Sequence, residues 1–512
     1  MEKDLVIGID SSTSATKATA WDRTGRLIAE GREAIPMSKP MPGRFEQDPA
    51  DWWTSTVSAL TALCARIDSN RVAAVSISNQ RETFGLFHAD GRAVRPGIVW
   101  LDERAIVQAE ELARTFGADR LRAISGKPVD AIVPVNRMIW LREYEPENFA
   151  AATKYSDVHG YLTHCLTGNW ITSVASADPS GMLDIKTRTW SGDILKAAGI
   201  PKQMMPDLAR PGQPMGLVSK AAALATGLIA GTPVVAGGGD GQCAATGAGA
   251  VEPSLAYMNL GTAIVAGVYS PKYGHDLAFR TETAVADGGY IFETVLKTGT
   301  FLIDWFAREV AGVPDRDRGA FLHQIEQEAA ASPIGAGGIA ILPFWQGSMT
   351  PHWDATARGV IAGLSGSSKR GDLYRALLEG LALDQAYALE KAMGAMDAKI
   401  TGITAIGGGT ASTLLLQILA DTTNLPVSKA DVAEASALGA AMCAAKGAGW
   451  YPNLREAARA MGQQDLSVTQ PIPANVARYA EFRQIYDDLW PTLSEWNRRL
   501  WTFANDPEPA QR

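Results

Sequence analysis

Val234-Val235-Ala236-Gly237-Gly238-Gly239-Asp240-Gly241-Gln242 is the stretch that decides how this chain is read. Three apolar residues run into three glycines, and a lone carboxylate follows. Val-Val-Ala reads as the end of a buried strand. The glycines let the backbone turn tightly or lie against a ligand, because no Cβ obstructs either course. Asp240 is then displayed at the carboxyl end of a strand, where open α/β sheets bind ligands. Taken alone, the plainer reading is a glycine-rich turn whose Asp begins a helix over 242–249. The rest of the chain decides between the two.

A length of 512 residues exceeds one ordinary domain, so two are expected. Apolar residues at 46% and charged residues at 20% match a soluble globular protein. A net charge of -8 leaves no basic footprint for a nucleic acid. Cys64, Cys165, Cys243 and Cys443 are widely spaced and form no CxxC pair, which points to a reducing compartment without disulfides or a zinc site. Met1-Glu2-Lys3-Asp4 runs straight into a strand and shows no signal-peptide pattern. Residues 221–239 are uncharged, but Gly227, Gly231 and Pro233 break them into a helix end, a loop and a buried strand, not a membrane span. The expectation is a cytoplasmic protein with neither nucleic acid nor membrane as partner.

Leu5-Val6-Ile7-Gly8-Ile9-Asp10 is another apolar run ending in an acid. Ser11-Ser12-Thr13-Ser14 follow, then residues 15–21, the turn Arg23-Thr24-Gly25-Arg26, and residues 27–31. Strand, polar turn, strand, turn, strand is a β-meander. A turn crowded with hydroxyls can aim N–H and O–H groups at a phosphate, although it closes an ordinary hairpin equally well. Asp10 could hold Mg²⁺, which takes carboxylate and phosphate oxygens.

The pattern recurs. Leu255-Ala256-Tyr257-Met258-Asn259-Leu260-Gly261-Thr262-Ala263 is again strand and Gly-Thr turn, with a strand over 264–269 after it. Ile403-Thr404-Ala405-Ile406-Gly407-Gly408-Gly409-Thr410 echoes the opening stretch. Each half thus has a hydroxyl-bearing hairpin near its start and a strand–GGG–helix near its end, a weak internal duplication. Two similar α/β domains facing each other across a cleft would suit a nucleotide held between two phosphate turns.

With these features the chain resembles the FGGY carbohydrate kinases, and the resemblance covers nearly its whole length. Its most specific part is Gly359-Val360-Ile361-Ala362-Gly363-Leu364, then seven residues, then Asp372-Leu373-Tyr374-Arg375-Ala376-Leu377-Leu378-Glu379, which fits the family's second signature at every defined position. Thr350-Pro351 with Asp354 and Ala357-Arg358-Gly359, and Glu46-Gln47-Asp48-Pro49 with Trp52-Trp53, fit as well. The first signature departs: Pro134 and Trp140-Leu141 match, but Arg137 stands where the family usually has Lys. The resemblance implies two actin-like, ribonuclease-H-like α/β domains with a cleft between them. Residues 1–250 would hold the sugar, the first phosphate loop and the catalytic Asp, and residues 251–512 the nucleotide and the closing helices.

Phosphoryl transfer needs charge gathered on the phosphates, donors that hold them in line, and a group to take the proton of the attacking hydroxyl. By resemblance Asp240 is the general base, and Asp10 lies at Mg²⁺. Thr13, Ser14 and Lys17 belong to the first phosphate loop, and Gly261 and Thr262 to the second. Gly408 and Gly409 let the backbone approach ATP, with Thr413 one helical turn on. A Rossmann dinucleotide site is the rival for these glycines, but 237–241 is not GxGxxG.

Asn79-Gln80-Arg81-Glu82-Thr83 follows a strand over 72–78. An adjacent Arg and Glu can grip a diol, one donating and the other accepting, although a solvated ion pair is the commoner use. The motif resembles that of glycerol kinases, as does Ile98-Val99-Trp100 with Asp102 and Arg104, where the Trp lines the carbon face of the substrate. Two positions break that match: Ile132 replaces a substrate Tyr, and Gly241 replaces the Gln after the catalytic acid. Ser173 also replaces an Asp, and Met258 to Thr262 follows the xylulokinase form. Losing two polar contacts leaves space, which favours a substrate longer than glycerol: a ketopentose such as xylulose or ribulose first, a glycerol- or erythritol-like polyol second. A non-catalytic actin-like ATPase or sugar sensor is the alternative of another class.

Lys297-Thr298-Gly299-Thr300 with Asp304-Trp305 would reach the nucleotide side of the cleft, and Gly335-Ala336-Gly337-Gly338 turns into a strand. Residues 475–500 read as one closing amphipathic helix with Tyr479, Phe482, Ile485, Tyr486 and Leu489 at helical spacing. That stripe would be core, or the subunit contact of a homodimer.

Overall fold

The computed structural model describes residues 3–286, 288–396, 399–430, 434–462 and 467–505. Strand β1 (Leu5–Ser11) is buried along its whole length, as its unbroken apolar run requires. It pairs antiparallel with β2 (Ala15–Trp21), and β2 with β3 (Leu27–Ala34), so the meander forms as read. Helix α1 (Pro49–Cys64) starts where Asp48 accepts a hydrogen bond from the Ala50 N–H and Pro49 takes the first turn. Strand β4 (Val72–Asn79) returns parallel to β1. Strands β5 (Pro214–Leu217) and β6 (Pro233–Gly239) complete a sheet of order β5-β6-β4-β1-β2-β3. Helix α2 (Asp240–Gly247) leaves β6 directly.

The second half repeats this plan. Strands β7 (Leu255–Leu260), β8 (Ile264–Ser270), β9 (Arg280–Thr283) and β10 (Tyr290–Leu296) are followed by the long helix α3 (Arg370–Met396). Then come β11 (Gly402–Ile406), α4 (Thr413–Thr423), β12 (Val427–Lys429), α5 (Ala435–Gly447), α6 (Leu454–Met461) and β13 (Ser467–Thr469). The sheet order is β9-β10-β8-β7-β11-β12-β13. In each sheet the first strand has an antiparallel hairpin partner on one side and a parallel strand on the other.

The duplication is real, but the pairing read from the glycine runs is not. Topology matches β7 to β1, β11 to β4 and β12 to β6. The partner of β6 is therefore β12, and the 407–409 glycines correspond to the end of β4. Glycine runs look alike in sequence whatever their neighbours, whereas strand order is set by long-range pairing. The helices that follow β6 and β12 are α2 and α5, and they meet backbone to backbone. A Cβ on Gly439 would stand 2.0 Å from the Cys243 carbonyl oxygen, and one on Gly247 2.1 Å from that of Ala435. Helix α5 also covers β1, with a Cβ on Gly8 falling 2.0 Å from the Ala437 oxygen. The second half of the chain thus packs part of itself onto the first sheet.

The opening stretch differs from its reading in one respect. Gly237, Gly238 and Gly239 make no turn: they continue β6 to its end, and α2 starts at Asp240, two residues earlier than expected. They serve close approach, since a Cβ on Gly237 would fall 2.0 Å from the Ile77 oxygen of β4. The chain's end differs too. Two helices, α7 (Pro473–Tyr486) and α8 (Leu489–Asn505), replace the single one expected. Pro491 has no N–H to continue a helix, so it sits in the first turn of a new one. Tyr479 and Tyr486 are buried in the second-half core, while Ile485 is 67% exposed. Residues 221–239 form the expected helix end, loop and strand, and no helix of the described residues is long and apolar enough to cross a membrane.

Candidate active site

Sheet register levels three strand ends. Asp10 of β1 lies opposite Ser78 of β4, and Ser78 opposite Gly238 of β6, all in parallel pairing. Asp10, the 79–83 segment and Asp240 therefore emerge on one rim. Asp10 is 7% exposed and accepts a hydrogen bond from Ser78 Oγ at 2.9 Å. Burial, then the charge of Asp240, pushes its carboxyl up to about 7.

Asp240 opens α2 with Gly239 as its N-cap, so its charge sits at the positive end of the helix dipole. The Gly241 N–H donates to Oδ1 at 2.8 Å, and Arg81 Nε donates to the same oxygen at 3.1 Å. Among the described residues no hydrogen bond falls on Oδ2. Protein surrounds the carboxylate, yet 36% of its side chain stays open to the cleft. Burial raises its pKa against the pull of Arg81. One oxygen is fixed and the other free, which is the arrangement a general base needs.

Arg81 lies across Gly239 and Gly241. A Cβ on Gly239 would stand 2.5 Å from Arg81 Cγ, and one on Gly241 2.9 Å from Arg81 Cζ. The space expected from the missing Gln at 241 is thus filled by Arg81 and is not left to a longer substrate. Arg81 Nη1 also bonds Glu293 at 2.9 Å, Glu293 bonds Arg280 Nε at 2.6 Å, and Arg280 Nη1 bonds Glu82 at 2.8 Å. Alternating charges form a square between the first lobe and β9–β10, its fourth side being the chain link from Arg81 to Glu82. Glu282 extends it to Lys127 at 3.0 Å, and Lys127 to Asp178 at 2.5 Å. Burial works against the Glu293 charge, but Arg280 and Arg81 outweigh it and hold its carboxyl below the ordinary range. Buried ions on this scale persist when each is paired or fully hydrogen-bonded.

Trp100 belongs to a second network. Its Nε1 donates to Thr13 Oγ1 at 2.8 Å, and its backbone N–H to Thr83 Oγ1 at 3.1 Å. Thr83 donates to Gln80 Oε1 at 3.0 Å, Gln80 to Gln47 Oε1 at 2.9 Å, and Gln47 to the Thr13 carbonyl at 2.7 Å. The ring ties the first turn to the segments bearing Arg81, Glu82 and Trp100. Ser14 is exposed at the tip of that turn. Lys17 forms an ion pair with Glu434, at the start of α5, at 2.6 Å.

The second lobe gathers its own turns. The Thr300 N–H donates to the Gly261 carbonyl at 2.8 Å, and the Gly299 N–H to that of Thr262 at 2.7 Å. A Cβ on Gly409 would stand 2.8 Å from Leu260 Cβ and 3.3 Å from Thr300 Cγ2. The 261–262 turn, Gly299-Thr300 and Gly408-Gly409 therefore converge, with Thr262 and Gly408 exposed and nothing within 4 Å of a Cβ on Gly408. Thr413 is not one turn into a helix. It is the exposed first residue of α4, after the 3₁₀ turn Gly408–Ala411 and the cap Ser412.

Open backbone at Gly408 and exposed hydroxyls at Ser14 and Thr262 fit phosphate oxygens. Two acids whose pKa values burial raises, Asp10 and Asp240, fit a divalent cation that also takes phosphate and water oxygens. Among the described residues no group of three or more His, Cys, Asp or Glu could hold a metal by itself. Sequence reading missed Arg280, Glu282, Glu293, Lys127, Gln47 and Glu434. The signal for some was present: Arg280-Thr281-Glu282 and Glu293 are charges set within strands, where only paired charges survive burial.

Comparison with known proteins gives the family and the fold. The model of the FGGY family of carbohydrate kinases, N-terminal domain, matches residues 5–247, and that of the C-terminal domain matches residues 256–448. The chain is 30% identical to a xylulose kinase of Bacillus subtilis over 506 residues, 98% of this chain and 99% of that protein. It is 29% identical to a glycerol kinase of Chloroflexus aggregans over 471 residues, 88% and 91% of the two chains. A crystal structure of xylulose kinase from Rhodospirillum rubrum superposes with a TM-score of 0.89 at 27% identity, covering 96% of this chain and 99% of the other.

Proposed function

The chain belongs to the FGGY family of carbohydrate kinases and phosphorylates a sugar with ATP; we propose that the sugar is a ketopentose of the xylulose or ribulose type. The observation that carries the proposed mechanism is Asp240, one oxygen held by Arg81 and Gly241 and the other free, on the same rim as Asp10.

A sugar hydroxyl at Oδ2 of Asp240 would give up its proton there as its oxygen attacks the γ-phosphorus of ATP, whose bond to the β–γ bridging oxygen breaks to release ADP. Arg81 favours the ionised form of Asp240 and orients it. Glu82 and Trp100 offer a carboxylate and an apolar ring face to the carbon chain. Thr13, Ser14 and Lys17 from the first lobe, and Gly261, Thr262, Gly408, Gly409 and Thr413 from the second, would hold the nucleotide. For Lys17 this means leaving Glu434 for a phosphate. Asp10 would face Mg²⁺, which when bound gathers negative charge from the phosphates. In this reading the lobes divide near residue 250, and their closure excludes water from the transfer.

The preference for a ketopentose no longer rests on space at Gly241, which Arg81 fills. It rests on Ile132 in place of a hydrogen-bonding Tyr, and on likeness to xylulose kinases along the full chain. A glycerol-type polyol is the second reading, favoured by Arg81, Glu82 and Trp100 together and by the glycerol kinase relative. An ADP-release assay over pentuloses, hexuloses, aldonates and C3–C5 polyols separates them. Turnover of a ketopentose well above the rest is the expected result, and turnover of glycerol alone would overturn it. ATP hydrolysis with no phosphorylated sugar would favour a sensor.

A further inference from the structure

Arg137 is fully buried on the helix Pro134–Tyr144. Its Nη1 donates to the Val99 carbonyl at 2.6 Å, and its Nη2 to the carbonyls of Glu82, at 2.5 Å, and Ile132. The guanidinium lies over the Phe84 ring, 5.5 Å from its centroid. Among the described residues no carboxylate forms an ion pair with it. A buried cation without a counter-ion is costly, and carbonyl dipoles are what solvates this one. Burial lowers its pKa to about 10, so it stays charged near neutrality.

The three carbonyls explain why such a group is kept. They belong to three separate segments, and each carries a position on the sugar side of the cleft: Glu82, Trp100 next to Val99, and Ile132. Glu82 has φ +58°, a left-handed conformation that a residue with a Cβ rarely adopts. The bond from Arg137 to its carbonyl holds it there, and from there its carboxylate reaches Arg280 at 2.8 Å. A fork with donors on separate nitrogens can serve carbonyls that diverge, whereas the three N–H groups of a Lys leave a single atom.

We propose that Arg137 is a positioning residue for sugar recognition: it staples the Glu82, Val99 and Ile132 backbones so that Glu82 and Trp100 face the substrate in fixed register. This rests on the reading of Glu82 and Trp100 as sugar-side residues. It acts through them and touches no reacting atom.

The test is steady-state kinetics of Arg137→Lys and Arg137→Gln, each alone and with Glu82→Ala, on whichever sugar the wild-type enzyme turns over. Arg137→Lys should fold, raise the sugar KM about tenfold, and leave the ATP KM within about twofold, the size expected for a lost hydrogen bond to a charged group. Arg137→Gln should raise the sugar KM further. With Glu82→Ala present, the same substitutions should cost about threefold or less, because one of the two residues they act through is gone and only the Trp100 share remains. Equal losses in both backgrounds, or sugar and ATP KM rising together, would reduce Arg137 to a fold-holding role. Glu82→Ala with an unchanged sugar KM would overturn the placement of the sugar site itself, a separate outcome.

Discussion

Arg81 lies flat against Gly241, and a Cβ at 241 would stand 2.9 Å from the Arg81 guanidinium carbon. The residue after Asp240 is therefore small so that Arg81 can reach the Asp240 carboxylate at 3.1 Å. Gly241→Gln should push Arg81 aside, lower sugar kcat/KM at least about tenfold through loss of a charge-assisted bond, and spare the ATP KM. Steady-state kinetics with both substrates checks this. An unchanged sugar kcat/KM would mean that Arg81 has room to move.

Glu293 joins Arg81 and Arg280 in the buried square. Glu293→Gln removes one charge and leaves two guanidinium groups facing each other. Removing one partner of a buried pair destabilises by about 3 kcal/mol or more. Urea unfolding should register that loss together with a raised sugar KM. A loss below about 1 kcal/mol, the value of a surface pair, would show that water already screens the square.

The crossing of α2 and α5 has no room for a side chain. A methyl on Gly439 would meet the Cys243 carbonyl oxygen at 2.0 Å, and that oxygen belongs to the backbone. Gly439→Ala should cost about 2 kcal/mol by overpacking and reduce kcat by shifting α2, which begins at Asp240. Thermal unfolding and kinetics on the same sample measure both. Full stability in the variant would contradict this contact.

His159 supports β6, its Nε2 accepting the Gly237 N–H at 3.2 Å. Burial lowers its pKa from 6.5 to about 3. The unfolded chain therefore binds a proton that the folded one refuses, and this stability is present above pH 6.5 and is lost as pH falls from there toward 3. Between pH 7 and pH 5 the wild type should lose about 2 kcal/mol that a His159→Gln variant does not. Parallel denaturation curves at the two pH values decide it, and an equal loss in both proteins would remove His159 from the pH response.

Much of the fold was legible because its signals are local. The apolar runs ending at Asp10 and Ala236, the hydroxyl turn at 11–14, and the Asp48-Pro49 helix start each depend on neighbours a few residues away. Gly237 to Gly239 read as a turn in sequence because their need for glycine comes largely from residues distant in the chain: Ile77 for Gly237, Ala175 and Val285 for Gly238, and Arg81 for Gly239. The charge square was not legible for the same reason: Arg81 and Glu293 are 212 residues apart. Lys17 looked like a phosphate ligand in its turn, and only the packing of α5 onto the first sheet brings Glu434 to it. The break between α7 and α8 was within reach, since Pro491 marks it.

Asp240→Asn is the most direct test. The substitution keeps size and both hydrogen bonds at one oxygen but removes the proton acceptor at the other. ATP binding, followed by titration calorimetry, should stay within about twofold, while sugar kcat falls by about 10³ or more, the scale of a lost general base together with its charge. Near-normal phosphorylation by the Asn variant would contradict the assignment of Asp240 as the base.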